Sequence, residues 1–562
     1  MRKIRSLAQV FPRTPFTYLV AHFVRRILAS DDEQGSGSIS LGIGAVLAIL
    51  ASPGAFASIF LMDKYSTLLQ WMRGQKGFDP YHVSTGDEYF FVVLSMTVTG
   101  LVMVLRWNRL FPDRRDFSNL AVLPIAVRNI FLANFLALFS LALLLGIDVN
   151  AVSSLLFPAV VTMSEGTLSA FLRIAAGHAT AVFSASLFSF FAVFALVGML
   201  MLILPKRLFR PVSICIRILL VVGLLTEFFS NLFLQLLAGR LPNRPESYMR
   251  LLPSFWFLGV YGNAAHIGKP GLAQLGHQAI LALLLTVVLA IVAYSLCYRR
   301  HFLQLSESQD APAIVRLHFP RAMAKQLFRS PFEHACNSFI FKVLFRSERH
   351  LMFFGGYLGI GLVMVAQTPL ESANEIPLMV AFFFLTGLRF VFDIPAVLDA
   401  NWLFRMAVIH PFPPADLVVR RLMLRSVLLW ELLLLFPLTA ERLGWRIAFA
   451  HTATVVALSL LLIDILLLHF RKIPFTCSSQ PETKQLMARL LGSMLCVLVV
   501  VPMLAGLERW MLKEPIRFTI LAVLLAFAWY YLRRYKRELL AQDRTLIFED
   551  RPPSTFELLN LA

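Results

Sequence analysis

The chain has 562 residues, of which 58% are hydrophobic and 15% charged, with a formal net charge of +19. A water-soluble fold of this length cannot hide so much apolar surface. The apolar residues also come in blocks of about 20 rather than at a helical or strand period, which excludes a soluble domain and points to an all-α, polytopic helical membrane protein.

The opening stretch, MRKIRSLAQVFPRTP, is charged and has no apolar core before a cleavage site, so no removable signal peptide is predicted. Residues 1–37 read as a cytoplasmic segment with an amphipathic lead-in helix, PFTYLVAHFVRRIL (15–28), and a flexible linker, DDEQGSGS. A first six-span half is predicted over 38–298, with spans at 38–62, 89–105, 129–148, 179–204, 212–237 and 277–297. Residues 299–349 form a cytoplasmic linker holding a second lead-in helix, PFEHACNSFIFKVL (331–344). The second half, 350–532, is predicted to cross at 350–367, 376–398, 423–439, 445–469, 490–506 and 515–532, and 533–562 is a cytoplasmic tail. The stretch 152–177 is moderately apolar and competes as an extra span. The positive-inside rule decides against it: with twelve spans and both termini cytoplasmic, most of the 52 Lys and Arg fall on the cytoplasmic side, and one more span would reverse every later loop. Whether 152–177 re-enters the membrane stays open.

The basic charge is then that bias, helped by attraction to anionic head groups, and implies membrane lipids rather than nucleic acid as partners. The five cysteines, Cys215, Cys297, Cys336, Cys477 and Cys496, fit neither a zinc-site spacing nor a disulfide framework, and read as reduced thiols.

The two halves repeat one plan. Pro-Phe opens each lead-in helix, Phe23 answers Phe339, and Leu28 answers Leu344. Each lead-in precedes a span with closely spaced small residues, GIGAVLAILASPGA and GGYLGIG, the latter placing Gly355 and Gly359 for close helix contact. Two spans later NLAVLPIAVRNIF (119–131) is echoed by RMAVIHPFPPADLV (405–418). After two more, PKRLFRP (205–211) is echoed by FRKIPF (470–475). The order of the four features, more than any identity, carries the duplication.

The connection between spans two and three has more apolar surface than a plain loop needs. Asp116 and Ser118 are N-cap candidates, Leu120, Leu123 and Val127 share a helical face, and Pro124 bends or ends the element. An interfacial anchor and a docking surface both fit, and its recurrence in each half favours docking. This layout resembles the membrane subunit of an ABC exporter of the ABC-2 type. The string Asp113, Arg114, Arg115, Leu120, Leu123, Pro124, Arg128 and Ile130 is similar to that family's coupling loop. The second copy has His410, Pro411, Pro413, Pro414 and the pair Arg420–Arg421 but no leading Arg-Arg. YMRLLPSFWFLGVYG (248–262) looks like the family's hydrophobic re-entrant element, while LERWMLKEPIR (507–517) is too short for a second one. The resemblance implies two fused six-span halves in a bacterial inner membrane. It also implies a separate cytoplasmic ABC ATPase, two copies of it, docking on Arg114, Arg115, Leu120, Leu123, Pro124, Arg128, His410 and Pro411.

No cofactor is expected in this chain, and ATP is expected on the partner. GNAAHIGKPG (262–271) fails as a phosphate loop: its glycines are misplaced, Pro270 stands where a hydroxyl is required, and no strand precedes it. There is no HExxH or GxSxG, and in DRRD two arginines would compete with any metal, so no catalytic residue, metal ligand or enzyme activity is predicted. Ionisable groups within spans cost roughly 3 kcal/mol each on insertion scales and ask for a reason. They are Glu227, Arg389, Asp393, Glu431 and Asp464. Arg389 and Asp393, one turn apart, read as an ion pair. Glu431 and Asp464 read as carboxyls that are protonated or bonded to a neighbouring helix. Either is alternatively the proton carrier of an ion-coupled secondary transporter, and a membrane-embedded transferase is a third possibility.

Overall fold

A computed structural model of the chain describes residues 15–28, 39–66, 80–111, 120, 124–163, 165–230, 247–267, 270–305, 331–368, 374–396, 401–402, 415–476, 483–512 and 514–542. Of the residues singled out above, Asp113, Arg114, Arg115, Asp116, Ser118, Leu123, His410, Pro411, Pro413, Pro414 and Cys477 lie outside them. The described residues are helical, with no strand among them. Nine helices among them are long and apolar enough to cross a membrane. The protein is an all-α, multi-pass membrane protein. Two compact units divide it, Met1–Pro312 and Ala313–Ala562.

In the first unit a lead-in helix α1 (Pro15–Leu28) is followed by α2 (Ile39–Tyr65), α3 (Pro80–Leu105), α4 (Val127–Val161), α5 (Leu168–Ile203) and α6 (Lys206–Phe229). Two short helices, α7 (Ser247–Leu251) and α8 (Pro253–Ala264), precede α9 (Pro270–Leu305). The sequence-predicted span at 89–105 begins nine residues earlier, at Pro80, because proline is at home in a first turn, where its missing N–H loses no bond. The ambiguous stretch 152–177 is no span of its own. It supplies the end of α4, a turn and the start of α5. Thr162 donates to the Pro158 carbonyl at 2.8 Å, Gly166 turns the chain at φ 62°, and the Thr167 hydroxyl caps α5 by accepting from the Ala170 N–H at 3.4 Å. At 35 and 36 residues, α4 and α5 outrun the roughly 30 Å hydrocarbon layer by about three-quarters.

The second unit repeats the order with α10 (Pro331–Arg346), α11 (Glu348–Gln367), α12 (Glu375–Val391) and α13 (Ala415–Trp430). A π-helical turn (Glu431–Leu435) passes directly into α14 (Phe436–Leu443), followed by α15 (Trp445–Leu466), α16 (Thr483–Met511) and α17 (Pro515–Gln542). Pro437 lies just past the π turn and has no N–H for the carbonyl four residues back, a standard reason for a helix to widen. Gly444, at φ 81°, lets α14 reverse into α15.

Each unit holds two apolar cores. In the first, one core joins the ends of α2 and α4 to the starts of α3, α5 and α9 and to α8, around Tyr89, Phe91, Phe157, Phe255 and Tyr261. The other joins α1 to the end of α3, the start of α4 and the far ends of α5 and α9, around Phe23, Trp107, Phe131, Phe190 and Phe194. Outward residues such as Leu281, Leu284, Val288, Ile291 and Leu296 of α9 leave an apolar stripe for lipid.

Candidate functional site

Three groups of residues stand out: the connection between α3 and α4, the ion pairs at the basic end of the second unit, and buried polar groups at the opposite ends of both helix sets.

The connection is tied into the first unit at both ends. After α3 a single 3₁₀ turn, Trp107–Arg109, buries Trp107, and Leu110 and Phe111 follow it inward. Asn134 of α4 donates to the Leu110 carbonyl at 2.9 Å, and Tyr294 of α9 donates to the Phe131 carbonyl at 2.6 Å. Phe111 stacks on Phe194 of α5 with centroids 5.4 Å apart. Leu19 and Phe23 of α1 sit in the same core as Trp107, Leu120, Ile130 and Phe131. Leu120 therefore does not belong to an exposed docking ridge. It is buried in its own unit, in one core with Leu19 and Phe23 of α1. Pro124 and Arg128 are exposed.

In the second unit Arg389 lies against Asp393 and also donates through Nε to the Leu466 carbonyl at 3.0 Å. Its guanidinium is 5.0 Å from the Phe470 ring centre. Asp393 has a second cation, Lys472, at 2.7 Å. Asp464 is 1% exposed and accepts from Arg420 at 2.7 and 3.2 Å, a two-pronged pair between α15 and α13. Glu333 of α10 faces Arg421 and Arg425, each at 3.1 Å, and Asp416 faces Lys536 at 3.1 Å. Charges from α10, α12, α13, α15 and α17 thus neutralise one another in pairs at this end. Arg420 and Lys472 were not legible as partners. They lie 44 and 79 residues from the carboxylates they meet, and no local spacing rule reaches that far.

At the opposite end, polar groups are buried deeper still. Glu88 of α3 and His178 of α5 are both fully buried, with Oε2 2.7 Å from Nδ1, and Ser153 of α4 lies 3.2 Å from His178 Nε2. Asp87 accepts from Lys64 at 2.7 Å and from the Tyr65 hydroxyl at 2.7 Å. Ser254 of α8 donates to Glu227 of α6 and is 3.0 Å from the Tyr89 hydroxyl. Ser84 and Tyr261 pair at 2.8 Å. Six helices are pinned together by these bonds. In the second unit, His451 of α15 meets Glu508 of α16 at 2.8 Å, Arg509 lies 3.4 Å from Glu375 of α12, and Glu431 starts the π turn with no exposed surface.

Buried polar positions recur between the two units. Helices α3 and α12 each carry a buried acid, Glu88 or Glu375, in their first half; α5 and α15 each carry a buried histidine, His178 or His451; and α6 and α16 each carry an acid near the end, Glu227 or Glu508. The sequence reading missed all but Glu227. The expected start of span two at residue 89 leaves Asp87 and Glu88 in a loop. The signal available was the Pro80 helix start, which carries both acids inside the helix.

In the first turn of α3, ahead of the apolar stretch Val83–Leu105, burial and the Glu165 carboxyl push the Tyr81 hydroxyl up to about 12, so it stays protonated at neutral pH. No group of three or more metal-ligating side chains is assembled among the described residues. No family model, curated protein or solved structure matches the chain.

Proposed function

We propose that this protein is the membrane-spanning subunit of an ATP-driven exporter, moved by a separate cytoplasmic ABC ATPase that docks on the connections between spans two and three. One observation supports this reading above others: the first connection, the lead-in helix α1 and helices α3, α4, α5 and α9 share a single packed core. Close-packed interiors transmit displacement instead of absorbing it. A push on the exposed Pro124–Arg128 segment therefore displaces four spans as well as α1. A loop that served only as a lipid anchor has no need of such stiffness. The short helices α7 and α8 before α9 also match the re-entrant element of the ABC-2 layout. On this reading both termini and both connections are cytoplasmic, the buried polar ends of the spans face outward, and the membrane is a bacterial inner membrane.

The test is co-purification of the ATPase encoded beside this chain, at matched membrane expression, with wild type and with Leu123→Asp, Arg128→Glu and His410→Asp. Loss of the ATPase in the variants is expected. Full retention in all three leaves the connection an anchor and refutes the docking role.

A further inference from the structure

The second unit holds buried carboxyl and imidazole acceptors that have no hydrogen-bond partner among the described residues. Glu431 is fully buried, and neither of its carboxyl oxygens has a hydrogen-bond partner among the described residues. His451 is also fully buried, and one apolar core packs Trp430, next to Glu431, against Val455, one turn from His451, and Ala505, about one turn from Glu508. The Nδ1 atom of His451 sits 2.8 Å from Glu508 Oε1. A carboxylate only accepts, so Nδ1 must carry the proton in that bond, and in the neutral ring Nε2 is left as a bare acceptor. Nε2 has no partner among the described residues, and neither has Glu508 Oε2. Three elements therefore bring four unpartnered acceptor atoms together: Glu431 Oε1 and Oε2, His451 Nε2 and Glu508 Oε2.

Among the described residues no charged side chain is paired with them beyond the His451–Glu508 contact. Val455, Val501, Ala505, Phe383 and Trp430 form the apolar core beside the cluster. The nearby charged groups are engaged elsewhere or exposed. Arg509 of α16 faces Glu375 of α12, Arg517 of α17 faces Glu514, and Glu441, Arg442 and Arg446 of α14 and α15 are exposed. On α13, Arg420 faces Asp464, and Arg421 and Arg425 face Glu333. The first unit makes the contrast: there Glu88 meets His178 directly, and the Ser153 hydroxyl meets His178 Nε2. A π-helical turn starting on Glu431 adds a second, independent observation. Such wide turns break the regular ladder and recur at functional positions.

We infer that Glu431, His451 and Glu508 form an intramembrane proton-binding site of the second unit. A proton from water adds to a Glu431 oxygen or to His451 Nε2, and no other bond forms or breaks. Uptake turns one bare acceptor into the donor that its neighbours lack. With the proton on Nε2, Glu431 is negative and His451 positive; with it on Glu431 both are neutral, so the attraction between the π turn and α15 depends on where the proton sits. The site requires no ATPase and stands apart from the docking reading, so either can fail alone.

The test uses the full chain reconstituted in lipid vesicles. Infrared difference spectra are recorded for a step from pH 8 to about pH 5.5, above the range in which ordinary solvated carboxylates protonate. A protonated-carboxyl band is expected in wild type, lost in Glu431→Gln and shifted in midpoint by His451→Asn. Disappearance of the band in Glu88→Gln with full retention in Glu431→Gln would overturn the assignment, as would a wild-type spectrum with no carboxyl change. If Glu431→Gln does not fold, tryptophan fluorescence reads the site in unaltered cluster chemistry, through the adjacent Trp430. A pH-dependent signal across the same step that vanishes in Trp430→Phe is expected, and identical pH responses in wild type and Trp430→Phe would overturn the site.

Discussion

Gly259→Ala tests how closely α8 and α9 are required to approach. A Cβ at residue 259 would lie 2.2 Å from the Gly276 nitrogen, 2.6 Å from the Leu272 carbonyl oxygen and 2.7 Å from the Leu275 carbonyl carbon. All three obstacles are backbone, so no side chain can swing aside. Restoring ordinary contact at 3.4 Å or more means parting the two helices by about 1 Å, which loosens dispersion contacts along the whole crossing. In lipid such contacts, rather than a hydrophobic gain, hold helices together. Overpacking of this kind costs about 1–3 kcal/mol, and rigid obstacles put this case at the upper end. The apparent melting temperature of purified protein in detergent should fall by on the order of 5 °C or more. Gly262→Ala meets the side chain of Leu272 and should cost less, and Gly223→Ala meets nothing within 4 Å and should be neutral or slightly stabilising. Equal melting of Gly259→Ala and Gly223→Ala would refute the reasoning.

Two further outcomes follow from named contacts. Asp393→Leu removes the carboxylate that both Arg389 and Lys472 face, whereas Arg389→Leu leaves Asp393 its Lys472 partner. The first should cost about 3–5 kcal/mol, the second less, and the double variant Arg389→Leu with Asp393→Leu should recover stability relative to Asp393→Leu; thermal melting of the four proteins checks that order. Cys336 of α10 is a buried thiol, and burial pushes it up to about 11 from its usual value near 9. Because the thiolate reacts, alkylation of a Cys336-only variant should be about a hundredfold slower than that of an ordinary exposed thiol at neutral pH and should climb until the pH passes about 11. Rapid labelling at pH 7 would show that α10 is not packed on its unit.

The class of the fold was legible because it depends on local facts. Blocks of about 20 apolar residues can satisfy their backbone groups in hydrocarbon only as helices, and every block read from the sequence coincides over much of its length with a helix among the described residues. The Arg389–Asp393 contact was legible for the same reason: four residues along a helix is one turn. Which face of a segment turns inward was not. The Leu120 side chain satisfies the same helical spacing whether it faces a partner or α1, and only the packing of α1 against Trp107 and Ile130 decides. The partners of Asp464, Glu88 and Glu508 were out of reach too. Each comes from another helix dozens of residues away, and a burial energy that depends on distance in space leaves no period in the chain. Composition and spacing thus determined that the helices exist and roughly where they start. The tertiary structure decided which charges meet: in hydrocarbon a buried charge must find a partner or be neutralised, and helix packing settles which of the two happens at each site.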